Sequence, residues 1–285
     1  MSKAPLAPGA TVGIVGGGQL GRMLAATAQR CGYRVHVLSP EASPPAASDA
    51  LAAAAEHTLV RPSPQVLHVT QDRAREKAFL RRNGFPVAPY RLASDGPSLD
   101  AAVAALGTPC LVKTAGFGYD GKGQVALQTT SAAAAPAIDA LAAAPAIDAL
   151  AAAHALVGAG PVVVERRIDL RLELSVIAAR SVDGRTATYA PVVNRHVDQV
   201  LDLSFTPHRG ATGTRSVGAG RAPDGLEDLT LSDALADEAV AVAGRVCESL
   251  GLVGLCCVEF FVSREGELLV NEIAPRPHNS GHLTI

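Results

Sequence analysis

At 285 residues, 48% of them apolar, the chain is long enough for one large or two modest domains with ample core. Its 25 basic and 27 acidic residues leave a net charge of −2, which offers no general field for nucleic acid or an anionic membrane, so any phosphate binding must be local. Five cysteines, odd in number and without a CxxC pair, indicate neither a disulfide framework nor a zinc site and point to a reducing, cytoplasmic setting.

Met1 to Gly9 lacks the charged and apolar regions of a targeting segment, and the alanine-rich stretches are interrupted by Asp, His and Pro, so nothing is read as spanning a membrane. Val12–Val15 reads as a buried strand, Gln19–Arg30 as a helix closed by Gly32, and Arg34–Leu38 as a second strand, a βαβ opening. Between them Gly16-Gly17-Gly18-Gln19-Leu20-Gly21 satisfies GxGxxG and turns backbone N–H groups and a helix N-terminus toward a phosphate. The second strand ends in Ser39-Pro40 with Glu41 beyond the proline, a poor position for the ribose-binding acid of a nicotinamide site. His57–Val60 is a candidate third strand before Arg61-Pro62-Ser63-Pro64, where a domain boundary is placed. Asp72–Asn83 follows as an amphipathic helix whose Arg73, Arg75, Lys77, Arg81 and Arg82 are expected mostly to face solvent.

The middle of the chain carries a second glycine-rich element. Gly116 to Lys122 matches the start of a Walker A loop, but Gly123 replaces the Ser/Thr that would hold magnesium, and a strand rather than a helix follows. What remains is a strand bearing Lys113, a glycine lid bearing Lys122 and a second strand, suited to wrapping and neutralising phosphate oxygens. The alanine-rich stretch Ser131–Gly160 is expected to form one helix, or two broken at Pro145, with no chemistry of its own. Pro161–Val164 is a buried strand leading to Glu165-Arg166-Arg167-Ile168, and Glu173 opens another strand. Both acids suit either a nucleotide cradle or an ordinary strand edge, and His196 is equally open.

Val258–Val262 and Leu268–Ile273, separated by Ser263-Arg264-Glu265-Gly266, predict a hairpin. A four-residue loop pairs Val262 with Glu267, which sets Glu259 opposite Val270 and makes Glu259 and Glu272 diagonal neighbours on one face. Two acids and Asn271 on apolar strands repel each other unless a cation sits between them, and magnesium bridging nucleotide phosphates fits. Arg276, His278, Asn279, Ser280 and His282 crowd the exit of the hairpin.

The order of these pieces resembles an ATP-grasp ligase, and among those the 5-(carboxyamino)imidazole ribonucleotide synthase family of purine biosynthesis. The match rests on Gly13 to Met23, Gln71-Asp72-Arg73, the lid Gly118 to Gln124, Glu173-Leu174-Ser175 and Asn271 to His282. The resemblance implies an α/β chain: a shortened Rossmann-like pre-ATP-grasp domain over 1–64, then an ATP-grasp fold of two α+β subdomains gripping ATP over 65–285, with 106–165 as the smaller lid subdomain. A family motif bearing an acid after the third strand is not matched, and the family's C-terminal domain is expected to be absent. The implied reaction is ATP-dependent carboxylation of aminoimidazole ribonucleotide with bicarbonate through carboxyphosphate, with magnesium as cofactor, in a homodimer with no nucleic-acid or membrane partner. Carried over by motif, Arg73, Lys113, Gly118, Tyr119, Asp120, Gly121, Lys122, Gly123 and Gln124 contact phosphates. Glu165, Arg166, Arg167, Ile168, Glu173 and His196 line the rest of the nucleotide site. Glu259 and Glu272 hold magnesium with Asn271 beside them, Tyr119 and Arg276 lie near bicarbonate, and Gln19, Leu20, Arg276 and Asn279 lie on the substrate side. Rival readings are a formate-dependent glycinamide ribonucleotide ligase of the same superfamily, an ATP-grasp remnant that binds nucleotide without turnover, and a nicotinamide oxidoreductase resting on the glycine loop alone.

Overall fold

The structure, a computed structural model, describes residues 6–16, 18–38, 59–116, 123–128, 146–197, 200–206 and 231–284. The opening unit is β1 (Thr11–Val15), α1 (Gln19–Arg30) and β2 (Arg34–Leu38), with β1 and β2 parallel from Thr11 against Arg34 to Val15 against Leu38. Gly32, at φ +84°, turns the chain out of α1 in a conformation that costs a residue with a Cβ. Gly21 is required for a different reason: a Cβ there would lie 2.0 Å from the Gly16 carbonyl oxygen. Of the expected third strand, His57 and Thr58 lie outside the described residues, as does Glu41, while Leu59 and Val60 are in no strand.

Two helices follow, α2 (Pro64–Thr70) and α3 (Arg73–Arg82), the latter N-capped by Asp72, whose carboxylate accepts from the Arg75 N–H at 2.9 Å. The expectation that the charges of α3 mostly face solvent fails at its centre, where Glu76 and Lys77 are buried. They share the inner face with Phe79 and Leu80, and partners on other elements reach them there.

The smaller sheet is built from β3 (Tyr90–Ala93), α4 (Gly96–Leu106), β4 (Cys110–Thr114), β5 (Gln124–Leu127), α5 (Ala146–Ala159) and β6 (Val162–Arg166), with strand order β3-β6-β4-β5, all antiparallel. It therefore reaches back to Tyr90, N-terminal to the expected lid span. One face packs Cys110, Val112, Val162 and Val164 against α4 and α5. Strand alternation then sends Lys113 and Glu165 to the opposite face. The helix expected after Pro145 begins at Ala146, and residues 129–145 lie outside the description.

The larger sheet comprises β7 (Leu170–Arg180), β8 (Thr186–Thr188), β9 (Val192–Val197), β10 (Val200–Phe205), then, after α6 (Asp233–Ser249), β11 (Gly254–Ser263) and β12 (Leu268–Ala274). Its order is β10-β9-β7-β11-β12, with β8 pairing β7. Leu172, Leu174, Val176 and Ala178 of β7 and Cys256, Val258, Phe260 and Val262 of β11 pack on Phe79 and Leu80 of α3 and on Ala239, Val242 and Val246 of α6. Burying each such large side chain contributes about 1.5–3 kcal/mol. The alternate residues, Glu173 and Ser175 on β7 and Cys257 and Glu259 on β11, are left on the other face. A 3-10 turn, Asn279–Thr284, follows β12.

Candidate active site at the junction of the two sheets

The hairpin of β11 and β12 forms as expected, but its register differs. Val262 pairs with Leu268 and Phe260 with Val270; a bulge then intervenes, so Glu259 lies directly opposite Glu272 and Cys257 opposite Ala274. The turn takes up one more residue than the four counted from the sequence, and Asn271 is the extra residue that the bulge inserts. Two slips of one residue restore the face of Glu272, so the acids still converge, face to face rather than diagonally. Helix α3 clamps the bulge: Lys77 Nζ donates to the Asn271 carbonyl at 3.0 Å, and the Ile273 N–H donates to Glu76 Oε1 at 2.6 Å.

Burial raises the Glu272 carboxyl above its ordinary range, and the facing Glu259 raises it further, against lowering by Arg73, Lys113 and His278. Burial and then the charge of Glu272 push Glu76 well up in turn. A crowded set of acids of this kind can hold a divalent cation: the repulsion that lifts Glu272 is what such an ion relieves.

Opposite stand the cations. Lys113 Nζ lies 2.8 Å from Glu165 Oε2 and Lys77 Nζ 3.1 Å from Glu165 Oε1, with Lys77 and Glu165 only 2% exposed. Burial alone would raise the Glu165 carboxyl, but Lys113 and Lys77 outweigh it and hold it at about 2. Arg73 is tied to the smaller sheet, its N–H donating to the Ala115 carbonyl at 2.7 Å and its Nη1 to the Thr114 carbonyl at 2.9 Å, beside a bridge between Asp72 and Gly116.

On the same face of the larger sheet, His196 Nδ1 lies 2.6 Å from Glu173 Oε2. Burial works against a charged His196, yet Glu173, with Glu259 and Glu272 behind it, raises its pKa. His278 Nε2 lies 2.6 Å from Glu259 Oε1. There too burial opposes the charge, but hydrogen bonding to Cys257 and Glu259 prevails and carries the imidazole to about 10.

Of the residues singled out from the sequence, Arg73, Lys113, Glu165, Glu173, His196, Asn271, Glu259 and Glu272 thus gather at the junction. Gln124 starts β5 opposite Lys113, and Gly123, at φ +74°, precedes it with its carbonyl accepting from the Thr114 N–H. Gly118, Tyr119, Asp120, Gly121 and Lys122 lie outside the described residues. The Arg166 and Arg167 N–H groups donate to the Pro89 and Pro109 carbonyls, and Ile168 follows them between the two sheets. Gln19 and Asn279 both line a cleft of about 320 Å³, together with Leu201, Asp202, Ser204 and His282. Leu20 is half-buried, whereas Arg276 is exposed, its Nη1 donating to the neighbouring Pro277 carbonyl. Sequence reasoning missed Glu76, Lys77 and Cys257. Glu76 stands three and four residues before Phe79 and Leu80, and Lys77 three before Leu80; that spacing placed both on the apolar stripe of α3 and was the signal available.

Two gripping sheets with cations on one and paired acids on the other define an ATP-grasp protein, and the family model described as the ATP-grasp domain matches residues 78–217 and 225–285. The ribonucleotide synthetase preATP-grasp domain matches residues 9–53. The N5-carboxyaminoimidazole ribonucleotide synthase of Brucella melitensis biotype 1 is 36% identical over 319 residues, covering 100% of this chain and 78% of that protein. The synthase of Bacillus subtilis (strain 168) is 31% identical, over 100% of this chain and 74% of its own. Among solved structures, an ADP complex of N5-carboxyaminoimidazole ribonucleotide synthetase superposes with a TM-score of 0.79 at 30% identity, covering 100% of this chain and 74% of that one. The ADP-complexed Staphylococcus aureus synthetase gives 0.77 at 27%, over 98% and 74%. The chain belongs to the N5-carboxyaminoimidazole ribonucleotide synthase family of ATP-grasp ligases.

Two outcomes are expected from this geometry. Lys77→Met, which leaves Glu165 one cation short in a buried site, should lower stability in urea denaturation by about 3 kcal/mol, far more than the exposed Arg82→Met; similar losses would mean that the buried pair does not tie α3 to the sheet. By NMR, His278 should keep its second proton through neutral pH and titrate near 10, and Glu259→Gln should bring that value down. Because the folded value exceeds the ordinary 6.5, the stability His278 contributes is complete below about 6.5 and is lost as pH rises through about 10. A His278 titration at its ordinary value would remove the Glu259 contact.

Proposed function

We propose that the protein uses ATP and bicarbonate to carboxylate 5-aminoimidazole ribonucleotide, giving 5-(carboxyamino)imidazole ribonucleotide, ADP and phosphate in purine biosynthesis. The observation that carries the reading is the facing of Arg73 and Lys113 toward the opposed Glu259 and Glu272 in a chain of this family. The γ-phosphoryl group of ATP passes to a bicarbonate oxygen and ADP leaves. The carboxyphosphate so formed breaks its carbon–oxygen bond to give carbon dioxide and phosphate. The exocyclic amine of the ribonucleotide then bonds to that carbon and loses a proton.

Arg73 and Lys113, with the lid Gly118–Gln124, hold the phosphates, and their fixed charges stabilise the transferring group without reorganising. Magnesium held by Glu259 and Glu272, beside Asn271, would supply charge neutralisation across the phosphate oxygens. Glu165 acts through Lys113, which it holds in place at 2.8 Å, while Arg166, Arg167, Ile168, Glu173 and His196 border the adenosine end. Tyr119 and Arg276 serve bicarbonate, and the Gln19–Asn279 cleft, with Leu20, receives the ribonucleotide. The glycine lid keeps water from a labile acyl phosphate. The division into a pre-ATP-grasp unit over 1–64 and an ATP-grasp unit over 65–285, and a cytoplasmic homodimer, complete the reading on family resemblance. Among the described residues no helix is long and apolar enough to cross a membrane.

The test is ADP release from ATP with aminoimidazole ribonucleotide and bicarbonate, set against glycinamide ribonucleotide and formate. Release that needs bicarbonate and the imidazole nucleotide is expected; preference for formate would transfer the chain to the rival ligase reading, and no release with either would favour a binding protein. On the same hairpin, Glu272→Ala should weaken magnesium-dependent ATP binding roughly tenfold or more, about 1.4 kcal/mol, while exposed Glu267→Ala changes it little. Equal effects in calorimetry would take the metal away from Glu272.

A further inference from the structure

Cys257, Glu259 and His278 form a ligand set distinct in chemistry from the paired carboxylates. The Cys257 Sγ, a Glu259 carboxylate oxygen and a His278 ring nitrogen all lie within 4.8 Å of one another. Cys257 and Glu259 are two apart on β11 and so share its face, while His278 reaches back from the chain beyond β12. The His278 ring is oriented for the purpose: Nδ1 lies 2.8 Å from Ser280 Oγ, which leaves Nε2 turned toward Glu259 at 2.6 Å. The buried Ser280 hydroxyl also lies 3.7 Å from the Cys257 sulfur, and Ile177, Ala274 and Leu255 pack around that cysteine.

We propose that Cys257, Glu259 and His278 bind a thiophilic divalent cation such as zinc, with a fourth position open to water or a phosphate oxygen. A sulfur, an imidazole nitrogen and a carboxylate oxygen are the donor types zinc takes in tetrahedral sites, whereas magnesium takes oxygen and has no use for the other two. Zinc bonds of about 2.0–2.3 Å set tetrahedral donors roughly 3.3–3.6 Å apart, so the Glu259–His278 contact opens by about an ångström or less as the ion enters. The ion takes the place of the proton shared by His278 and Glu259, and that proton and the Cys257 thiol proton pass to solvent. Because Glu259 belongs to both sets, zinc and magnesium nucleotide exclude each other; that corollary alone rests on the nucleotide reading above.

The full chain, freed of metal, is titrated with zinc against a chromophoric chelator and, separately, with cobalt(II), whose thiolate charge-transfer absorption reports a sulfur ligand. One equivalent of zinc and a thiolate–cobalt band are expected. Cys257→Ala should abolish the band and weaken zinc by roughly tenfold or more while the thermal melt stays unchanged. Cys257→Ser, nearer in volume, serves if alanine disturbs folding and should likewise lose the band. Cys247→Ala, which removes one thiol of the other close sulfur pair, 3.0 Å from Cys256, should keep it. A band that survives in both Cys257 variants, one that disappears in Cys247→Ala, or zinc affinity indifferent to Cys257 overturns the proposal. No nucleotide enters the measurement, so its failure leaves the ATP reading standing, and failure of the ATP reading leaves the zinc result intact.

Discussion

One buried carboxylate, Glu165, ties the two halves of the site together. It lies on β6 of the smaller sheet, takes Lys113 from the neighbouring strand and takes Lys77 from a helix packed on the larger sheet. Removing three charged groups from water is costly and is offset only by short contacts among them. Two ammonium groups against one carboxylate leave a surplus positive charge, and with Arg73 that surplus faces the acids of the hairpin. The junction is therefore an electrostatic couple built before any ligand arrives: cations held by one sheet and by α3, acids held by the other sheet. A polyanion accompanied by a cation satisfies both sides at once, which is how the fold and the chemistry of the family meet in the same few residues.

Position on the strands explains which groups can take part. Each sheet buries one face against helices, so Lys113, Glu165, Glu173 and Glu259 sit at alternate places along strands whose inward residues are core. Moving any of these strands by one residue would bury Glu173 or Glu259 among Leu174, Val258 and Phe260 and put those side chains in the cleft. The hydrophobic core thus fixes the register, and the register fixes the chemistry.

Much of this was legible in the sequence because it is local. The alternation of Val258 to Val262, the glycine turn before α1 and the placement of Lys113 on a strand all follow from patterns a few residues long, and α1 and β2 have the bounds that pattern predicts. What was not legible depends on partners far away in the chain. Lys77 reads as one charge among five on a polar helix until Glu165, 88 positions later, reaches it. The bulge at Asn271 is invisible to loop counting, since its anchors are Lys77 and Glu76 on another element. Likewise, spacing rules for cysteine ligands find nothing at Cys257, whose neighbours in space come from two residues and from 21 residues along the chain.

The clamp on the bulge has a bearing on how such a chain can change over time. In an ordinary hairpin the turn dictates which residues face each other, so a single insertion at the tip propagates through every pair. Here Lys77 and Glu76 grip the backbone on either side of Glu272, and the alignment of Glu272 with Glu259 is decided from the helix, at the far end of the strands from the tip. The turn from Ser263 to Glu267 does not by itself set that alignment, and the helix, remote from the hairpin in sequence, becomes the part that selection must keep.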